Sequence, residues 1–205
     1  IKEYFLNYHT MSNDFTINLG FRKGIIFHGT QDEENWNVTL ADTGQETLTS
    51  KRIYLIKKYI NNEPFMLTYG DGIADLNVEA LIRFHRDKGR LATFTGVKEA
   101  SRFGIVQTDR KGDVIGFKEK PQVHERINAG FFVFQPNLFN YLEKQECMLE
   151  HILSNLAANK QLSVYPHDGF WHCMDTYRDS LKLNELWNFG YDAPWKVWKE
   201  KSVHF

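Results

Sequence analysis

Two short stretches of this 205-residue chain put carboxylates where chemistry is easily arranged. Tyr69-Gly70-Asp71-Gly72 follows the apolar run Phe65-Met66-Leu67-Thr68, and open α/β sheets bind ligands beyond the carboxyl ends of their strands. The glycines on either side of Asp71 let a ligand approach the backbone. Asp175 stands at a second terminus of this kind, after the strand-like Gly169-Phe170-Trp171-His172-Cys173-Met174 and before a helical pattern that opens at Thr176. Magnesium commonly takes one or two carboxylates together with substrate phosphates and water. Two aspartates distant in sequence but close in a fold therefore suit Mg²⁺. Each also has a structural alternative. Gly-Asp-Gly makes plain turns in which the Asp accepts from local amides, and an Asp ahead of a helix favours the helix dipole.

A second group of polar residues suits a phosphorylated sugar. Glu119-Lys120-Pro121 ends a hairpin strand, where proline biases its predecessor towards an extended backbone and so fixes the direction of the lysine. A lysine holds phosphate as a point charge, and a glutamate accepts from sugar hydroxyls; a solvated Glu-Lys pair is the structural alternative. Asn128-Ala129-Gly130 precedes an apolar strand. Its amide offers a sugar both donor and acceptor, although such sequences also form ordinary turns. Arg102-Phe103-Gly104 is equally open to both readings. His167 and His172 have an odd spacing, which puts them on opposite faces of a strand and argues against a shared metal. No Gly-x-Ser-x-Gly, Walker A or Gly-x-Gly-x-x-Gly pattern occurs.

The elements that must position these residues follow from period and punctuation. Ile1 to Tyr8 reads as helix, Trp36 to Leu40 alternates like a strand, and Asp42-Thr43-Gly44 is a turn. Leu48 to Ile60 carries Ile53, Ile56 and Ile60 on one helical face. After the run at 65–69, Asp75 can cap a helix with Val78, Leu81, Ile82 and His85 along one stripe, and Leu91 to Val97 is the next strand. This alternation has the spacing of parallel crossover units. Gly104 to Phe117 then reads as a hairpin, Ala129 to Gln135 as a strand, and Met148 to Ala158 and Thr176 to Trp187 as helices. The last of these opens on Thr176-Tyr177-Arg178-Asp179, which has the form of a capping box. The aromatic tail Ala193-Pro194-Trp195-Lys196-Val197-Trp198 should dock on the body or on another subunit.

Composition narrows the partners. Lys+Arg 25 against Asp+Glu 26 leaves a net charge of -1, which lacks the basic footprint of a nucleic-acid binder. No apolar run reaches a membrane span and no signal peptide opens the chain, so no membrane partner and a cytoplasmic location are expected. Cys147 and Cys173 lie 26 residues apart without a Cys-x-x-Cys motif, which suits reduced thiols.

Taken in order, Asp42-Thr43-Gly44, Tyr69-Gly70-Asp71-Gly72, Arg102-Phe103-Gly104, Glu119-Lys120-Pro121, Asn128-Ala129-Gly130-Phe131-Phe132 and Gly169-Phe170-Trp171 with Met174-Asp175-Thr176 resemble the sugar-1-phosphate nucleotidylyltransferases. Asn35 to Leu40 and the terminal Ala193 to Trp198 resemble the cytidylyl branch that uses CTP and glucose 1-phosphate. The resemblance implies one Rossmann-like α/β domain over 1–205 with a mostly parallel central sheet and a small β-hairpin region for the sugar. Residues 1–100 would serve the nucleotide, 101–190 the sugar phosphate, and 191–205 would form the tail. By the same resemblance Asp71 and Asp175 hold Mg²⁺, and Lys120 binds the sugar phosphate. Glu119, Asn128 and Gly104 lie near the hexose, Thr43 and Gly44 near the base, and Gly70 near the ribose.

A homo-oligomer and a role in making deoxysugars for surface polysaccharides are also implied. The family's Gly-rich triphosphate loop and first strand are expected upstream of Ile1. Two departures stand out: Ser50-Lys51 where relatives carry two glycines, and His151-Ile152 where they carry Glu-Pro. The other readings are a non-catalytic sugar-phosphate or nucleotide-binding subunit of the same fold, and thymidylyl or uridylyl transfer.

Overall fold

The computed structural model describes residues 1–20, 24–28, 36–99, 103–121, 125–142, 146–188 and 193–197, so Asn35, Arg102 and Trp198 lie outside the described residues. The chain divides into two compact units, Ile1–Gln45 and Glu46–Phe205. In the first, helices α1 (Lys2–Leu6) and α2 (Tyr8–Ser12) bear out the helical reading of the start. They precede an antiparallel pair, β1 (Asp14–Ile17) and β2 (Ile25–His28). Trp36 to Leu40 forms no strand. Its alternation is real, but Trp36 and Val38 are exposed, and alternation without a neighbouring strand to bond builds no sheet.

The second unit contains α3 (Thr49–Leu55), β3 (Phe65–Thr68), β4 (Gly72–Ala74), α4 (Val78–Lys88) and β5 (Ala92–Val97). The hairpin β6 (Ile105–Thr108) and β7 (Val114–Lys118) follows, then β8 (Ile127–Phe134), α5 (Leu138–Leu142), α6 (Leu149–Ala158), β9 (Leu162–His167), β10 (Trp171–Cys173) and α7 (Tyr177–Asn188). The first helix stops earlier than its isoleucine stripe suggests. It passes at Ile56 into a single 3₁₀ turn over Lys57–Tyr59.

The central sheet has the order β3-β8-β5-β9. β5 and β9 pair in parallel, while β8 runs antiparallel to both β3 and β5. Three strands thus share one direction and the fourth is inserted against them, giving a mixed α/β sheet. The reversal has a useful consequence. Residues that follow β3, β5 and β9 meet the residues that begin β8, so Tyr69, Lys98, Asp168 and Asn128 belong to one edge of the sheet.

Alternation along β8 sorts its side chains between two faces. Phe132 and Phe134 are fully buried with Ile53, Leu138, Phe139, Leu142, Leu149, Ile152 and Leu156, so α3, α5 and α6 cover that side. Val133 points the other way, against Leu76 and Leu81. Ile152 is therefore a core residue, and the His151-Ile152 departure contributes apolar packing to α6. Ser50 is likewise structural. Its Oγ donates to the Cys147 carbonyl at 2.7 Å and accepts from the Cys147 N–H at 3.0 Å, which ties α3 to the segment before α6.

The cap of α4 is Asn77, whose Oδ1 accepts from the Ala80 N–H at 2.9 Å, and not Asp75. Asp75 lies two residues too early to reach the first free amides. The helix ends at Gly89, with φ 59°, the left-handed termination that glycine adopts without strain. The capping box of α7 is present as read, since the Thr176 N–H donates to Asp179 Oδ2 at 2.9 Å and the Asp179 N–H to Thr176 Oγ1 at 3.3 Å. The tail docks on the body: the Trp195 ring stacks on Trp187 at 6.4 Å and packs against Phe170 at 5.5 Å. Neither Cys147 nor Cys173 is in a disulfide. No helix among the described residues is long and apolar enough to cross a membrane.

His85, in α4, is buried between the sheet and its own helix. The Gln135 side-chain N–H donates to Nε2 at 2.9 Å, so Nδ1 carries the ring proton and donates to Thr93 Oγ1 at 2.8 Å. Burial, and after it the Arg86 charge, hold this imidazole below its ordinary value. The unfolded chain then binds a proton that the native state resists. His85 therefore supports the native state fully above about pH 6.5, and that support is lost as pH falls towards the depressed folded value. Urea midpoints at pH 7.5 and 5.5 should accordingly fall more in the wild type than in His85→Gln, which retains hydrogen-bonding capacity but not the titration. Equal falls would remove His85 as the source.

Candidate active site

The two aspartates meet because two very short strands pair. β4 and β10 are antiparallel, with Gly72 opposite Cys173 and Ala74 opposite Trp171. One residue beyond that ladder the Met174 N–H donates to the Asp71 carbonyl at 2.8 Å, which sets Asp175 beside Asp71. Ligand atoms of Asp71, Cys173 and Asp175 all lie within 4.8 Å of one another. The Cys173 thiol donates to Asp175 Oδ1 at 3.2 Å. As a donor it orients that carboxylate, while the carboxylate oxygens are the hard ligands of the group. Two carboxylates at one point, with room left for phosphate and water oxygens, fit the requirements of Mg²⁺.

Asn128 belongs to the same neighbourhood. Its Oδ1 accepts from the Gly130 N–H at 3.0 Å, and the Tyr69 N–H donates to the Gly130 carbonyl at 3.0 Å. Gly130 has φ 81°, and a Cβ there would lie 2.7 Å from the Tyr69 ring, so both backbone and packing demand glycine. Trp171 Nε1 donates to the Ala129 carbonyl at 3.0 Å, which fastens the start of β8 to β10. The start of β8 at Asn128 is thus bonded on one side to the residue before Gly70-Asp71 and on the other to the strand before Asp175. Gly70 has open space where a side chain would stand.

Tyr69 is a participant the motif reading passed over. Burial, followed by the Glu150 charge, raises its phenol above the ordinary value. Tyr69 contacts Asn128 and Glu150 through its side chain, the latter at 3.5 Å. The apolar run leading into Gly70 hinted at burial, but nothing in the sequence paired Tyr69 with Glu150. Arg126 was also missed. It donates to the carbonyls of Gly96 and His167, each at 3.0 Å, and to Asp168 Oδ1 at 2.7 Å, so it clamps the carboxyl ends of β5 and β9. That guanidinium holds the Asp168 carboxyl below its usual range. The two histidines lie on different strands, His167 ending β9 and His172 within β10, so alternation along one strand is not what separates them; His167 lies 2.9 Å from Asp75 and His172 3.5 Å from Asp179.

The hairpin presents Gly104 and Glu119 together. Ile105 pairs with Lys118, and a Cβ on Gly104 would lie 2.6 Å from the Phe117 ring and 3.0 Å from Glu119 Oε2. Lys120 departs from the extended backbone its proline neighbour suggested, since its φ is 44°. Proline restricts the preceding residue chiefly through ψ and leaves φ to the turn that ends β7. Lys120 is exposed and its Nζ lies 3.7 Å from Glu119 Oε1, a pair weakly held in water. Thr43 and Gly44 belong to the first unit, where the Gly44 N–H donates to Asp42 Oδ1 at 3.0 Å and Gly44 has φ 85°. The turn expected there is present.

A family model described as nucleotidyl transferase matches residues 6–187. The chain belongs to the nucleotidyl transferase family. Similar nucleotidyl transferases include the "Probable glucose-1-phosphate cytidylyltransferase" of Bacillus subtilis, 42% identical over 200 residues, with 97% of this chain and 77% of that protein covered. The glucose-1-phosphate cytidylyltransferase of Salmonella typhimurium is 40% identical over 202 residues, with the same coverage. Among solved structures, a Bacillus anthracis protein described as a glucose-1-phosphate thymidylyltransferase matches with a TM-score of 0.54 and 15% identity, over 70% of this chain. This nucleotidyl transferase spans 62% of that structure's length, and the likeness bears on the fold alone.

Proposed function

We propose that the protein transfers a cytidylyl group from CTP to α-D-glucose 1-phosphate, giving CDP-glucose and pyrophosphate. The observation that carries this reading is the meeting of Asp71 and Asp175 at the end of the β4–β10 ladder, in a chain about 40% identical to proteins named for that activity. An oxygen of the sugar phosphate attacks the α-phosphorus of CTP. The bond from that phosphorus to the α–β bridging oxygen breaks, and its electron pair leaves with pyrophosphate. The attacking phosphate is already ionised, so no general base is needed and positioning with charge neutralisation suffices. Mg²⁺ held by Asp71 and Asp175 would supply that neutralisation when bound.

Lys120, exposed at the end of the hairpin beside Glu119, binds the sugar phosphate in this reading. Glu119, Gly104 and Asn128 lie along the hexose, Gly70 along the ribose, and Thr43 and Gly44 along the base. The product is an activated glucose for deoxysugars of surface polysaccharides, made in the cytoplasm by a homo-oligomer. The test is pyrophosphate release from glucose 1-phosphate and Mg²⁺ across CTP, UTP, dTTP, ATP and GTP. Release confined to CTP is expected. Release with another nucleotide would keep the chemistry and overturn the base assignment. No release from protein that still binds glucose 1-phosphate would leave a non-catalytic binding subunit.

A further inference from the structure

Asp175 is held from both sides, and the two holds differ in kind. The residue before it is fixed by the backbone bond from Met174 to the Asp71 carbonyl, at 2.8 Å. The residue after it is fixed by a side chain. Thr176 donates to Asp179 Oδ2 through its N–H at 2.9 Å and through its hydroxyl at 2.7 Å. The other oxygen of the same carboxylate, Oδ1, faces His172 Nε2 at 3.5 Å, and both side chains are largely buried, 15% and 16% exposed. His172 lies in β10, and its Nε2 atom is shielded from solvent without a hydrogen-bond partner, so the Asp179 carboxylate at 3.5 Å is an ion-pair neighbour when the imidazole is protonated. One half-buried carboxylate therefore joins the strand before Asp175 to the helix after it.

An ordinary capping box needs only the bonds to the helix end. The additional reach to β10 is what a cap for α7 alone would not require. From this geometry we infer that Asp179 is a positioning residue of the metal site, bridging His172 and Thr176 so that the Asp175 carboxylate stays beside Asp71. The inference rests on Asp175 being a metal ligand, as proposed above. Partners that orient a ligand without touching the metal commonly govern affinity by 10- to 100-fold, and Asp179 is placed to act in that way without contact with substrate.

The test is Mn²⁺ binding to the full chain, followed by electron paramagnetic resonance with no nucleotide present. Asp179→Ala should weaken Mn²⁺ binding by roughly 10- to 100-fold, whereas Asp179→Asn, which retains an acceptor for Thr176 but turns an N–H and no charge towards His172, should give a smaller loss. Asn77→Ala removes the cap of α4, away from the carboxylates, and is expected to lower the melting temperature comparably while leaving Mn²⁺ affinity unchanged. Should Asp179→Ala not fold, Thr176→Val, which deletes only the hydroxyl arm, is expected to show the same weakening to a smaller degree. Unchanged affinity in both Asp179→Ala and Thr176→Val would overturn the inference, as would an equal loss in Asn77→Ala. A wild-type protein that binds no Mn²⁺ would instead overturn the metal reading itself, and this inference with it.

Discussion

Replacing either Asp71 or Asp175 with alanine is expected to lower pyrophosphate release about a hundredfold or more, the scale of losing one strong electrostatic contact to a transition state. Ligand atoms of both carboxylates and of Cys173 lie within 4.8 Å of one another, and two like charges held at such a distance repel. A divalent cation held by Asp71 and Asp175 would relieve that repulsion and offer phosphate oxygens an attachment point. With one carboxylate gone, the remaining one would bind a hydrated divalent ion weakly, and the triphosphate would lose the charge proposed to balance it.

A second signature accompanies the loss. Asp71→Asn and Asp175→Asn should each melt slightly higher than the wild type in chelator and should lose the upward shift expected of the wild type on adding Mg²⁺, because the repulsion has been relieved by substitution instead of by metal. Near-normal turnover in either alanine variant would remove that residue from the site. Normal metal-linked melting with low turnover would move it from metal binding to substrate contact.

Both aspartates were legible because each stands at a strand terminus in a setting of small or turn-forming residues. What joins them was not. β4 and β10 are three residues each, too short for alternation to distinguish from coil, and their pairing is a tertiary event. The same limit explains β8. An apolar run announces a buried strand but is blind to direction, so the reversal that brings Asn128 to the carboxyl edge had no sequence signal.

Local chemistry misled in two places. Asp75 and Asn77 are both good caps, and only the onset of the helix chooses between them. Pro121 constrains the backbone of Lys120 without fixing its φ. Conversely, the Thr176–Asp179 box was readable because both partners and their spacing lie within one turn. The added arm from Asp179 to His172 was not, since it crosses from a helix to a strand.

The largest effect on stability is expected from Phe132→Ala, and its reach extends to the site. Phe132 is fully buried, stacks on Phe134 at 5.4 Å and packs its ring against Tyr69 at 5.5 Å. It lies in the strand that pairs on both sides, opposite Leu67 of β3 and Phe94 of β5. Deleting such a ring costs about 3–5 kcal/mol, a large part of the roughly 5–15 kcal/mol that holds a domain folded. The neighbours cannot easily collapse into the void, because β-ladders fix β8 on both edges. Urea denaturation should therefore show a much lower midpoint with an unchanged slope, the mark of lost stability without a changed denatured state. Phe132→Leu should retain most of the stability but leave Tyr69 less well supported. Because Tyr69 lies against Gly130 and joins the start of β8 at Asn128 to the segment of Asp71, that variant should raise KM for glucose 1-phosphate more than it lowers kcat. A midpoint close to wild type in Phe132→Ala would mean that the sheet interior is not the core these contacts describe. An unaltered KM in Phe132→Leu would detach Tyr69 from the sugar side of the site.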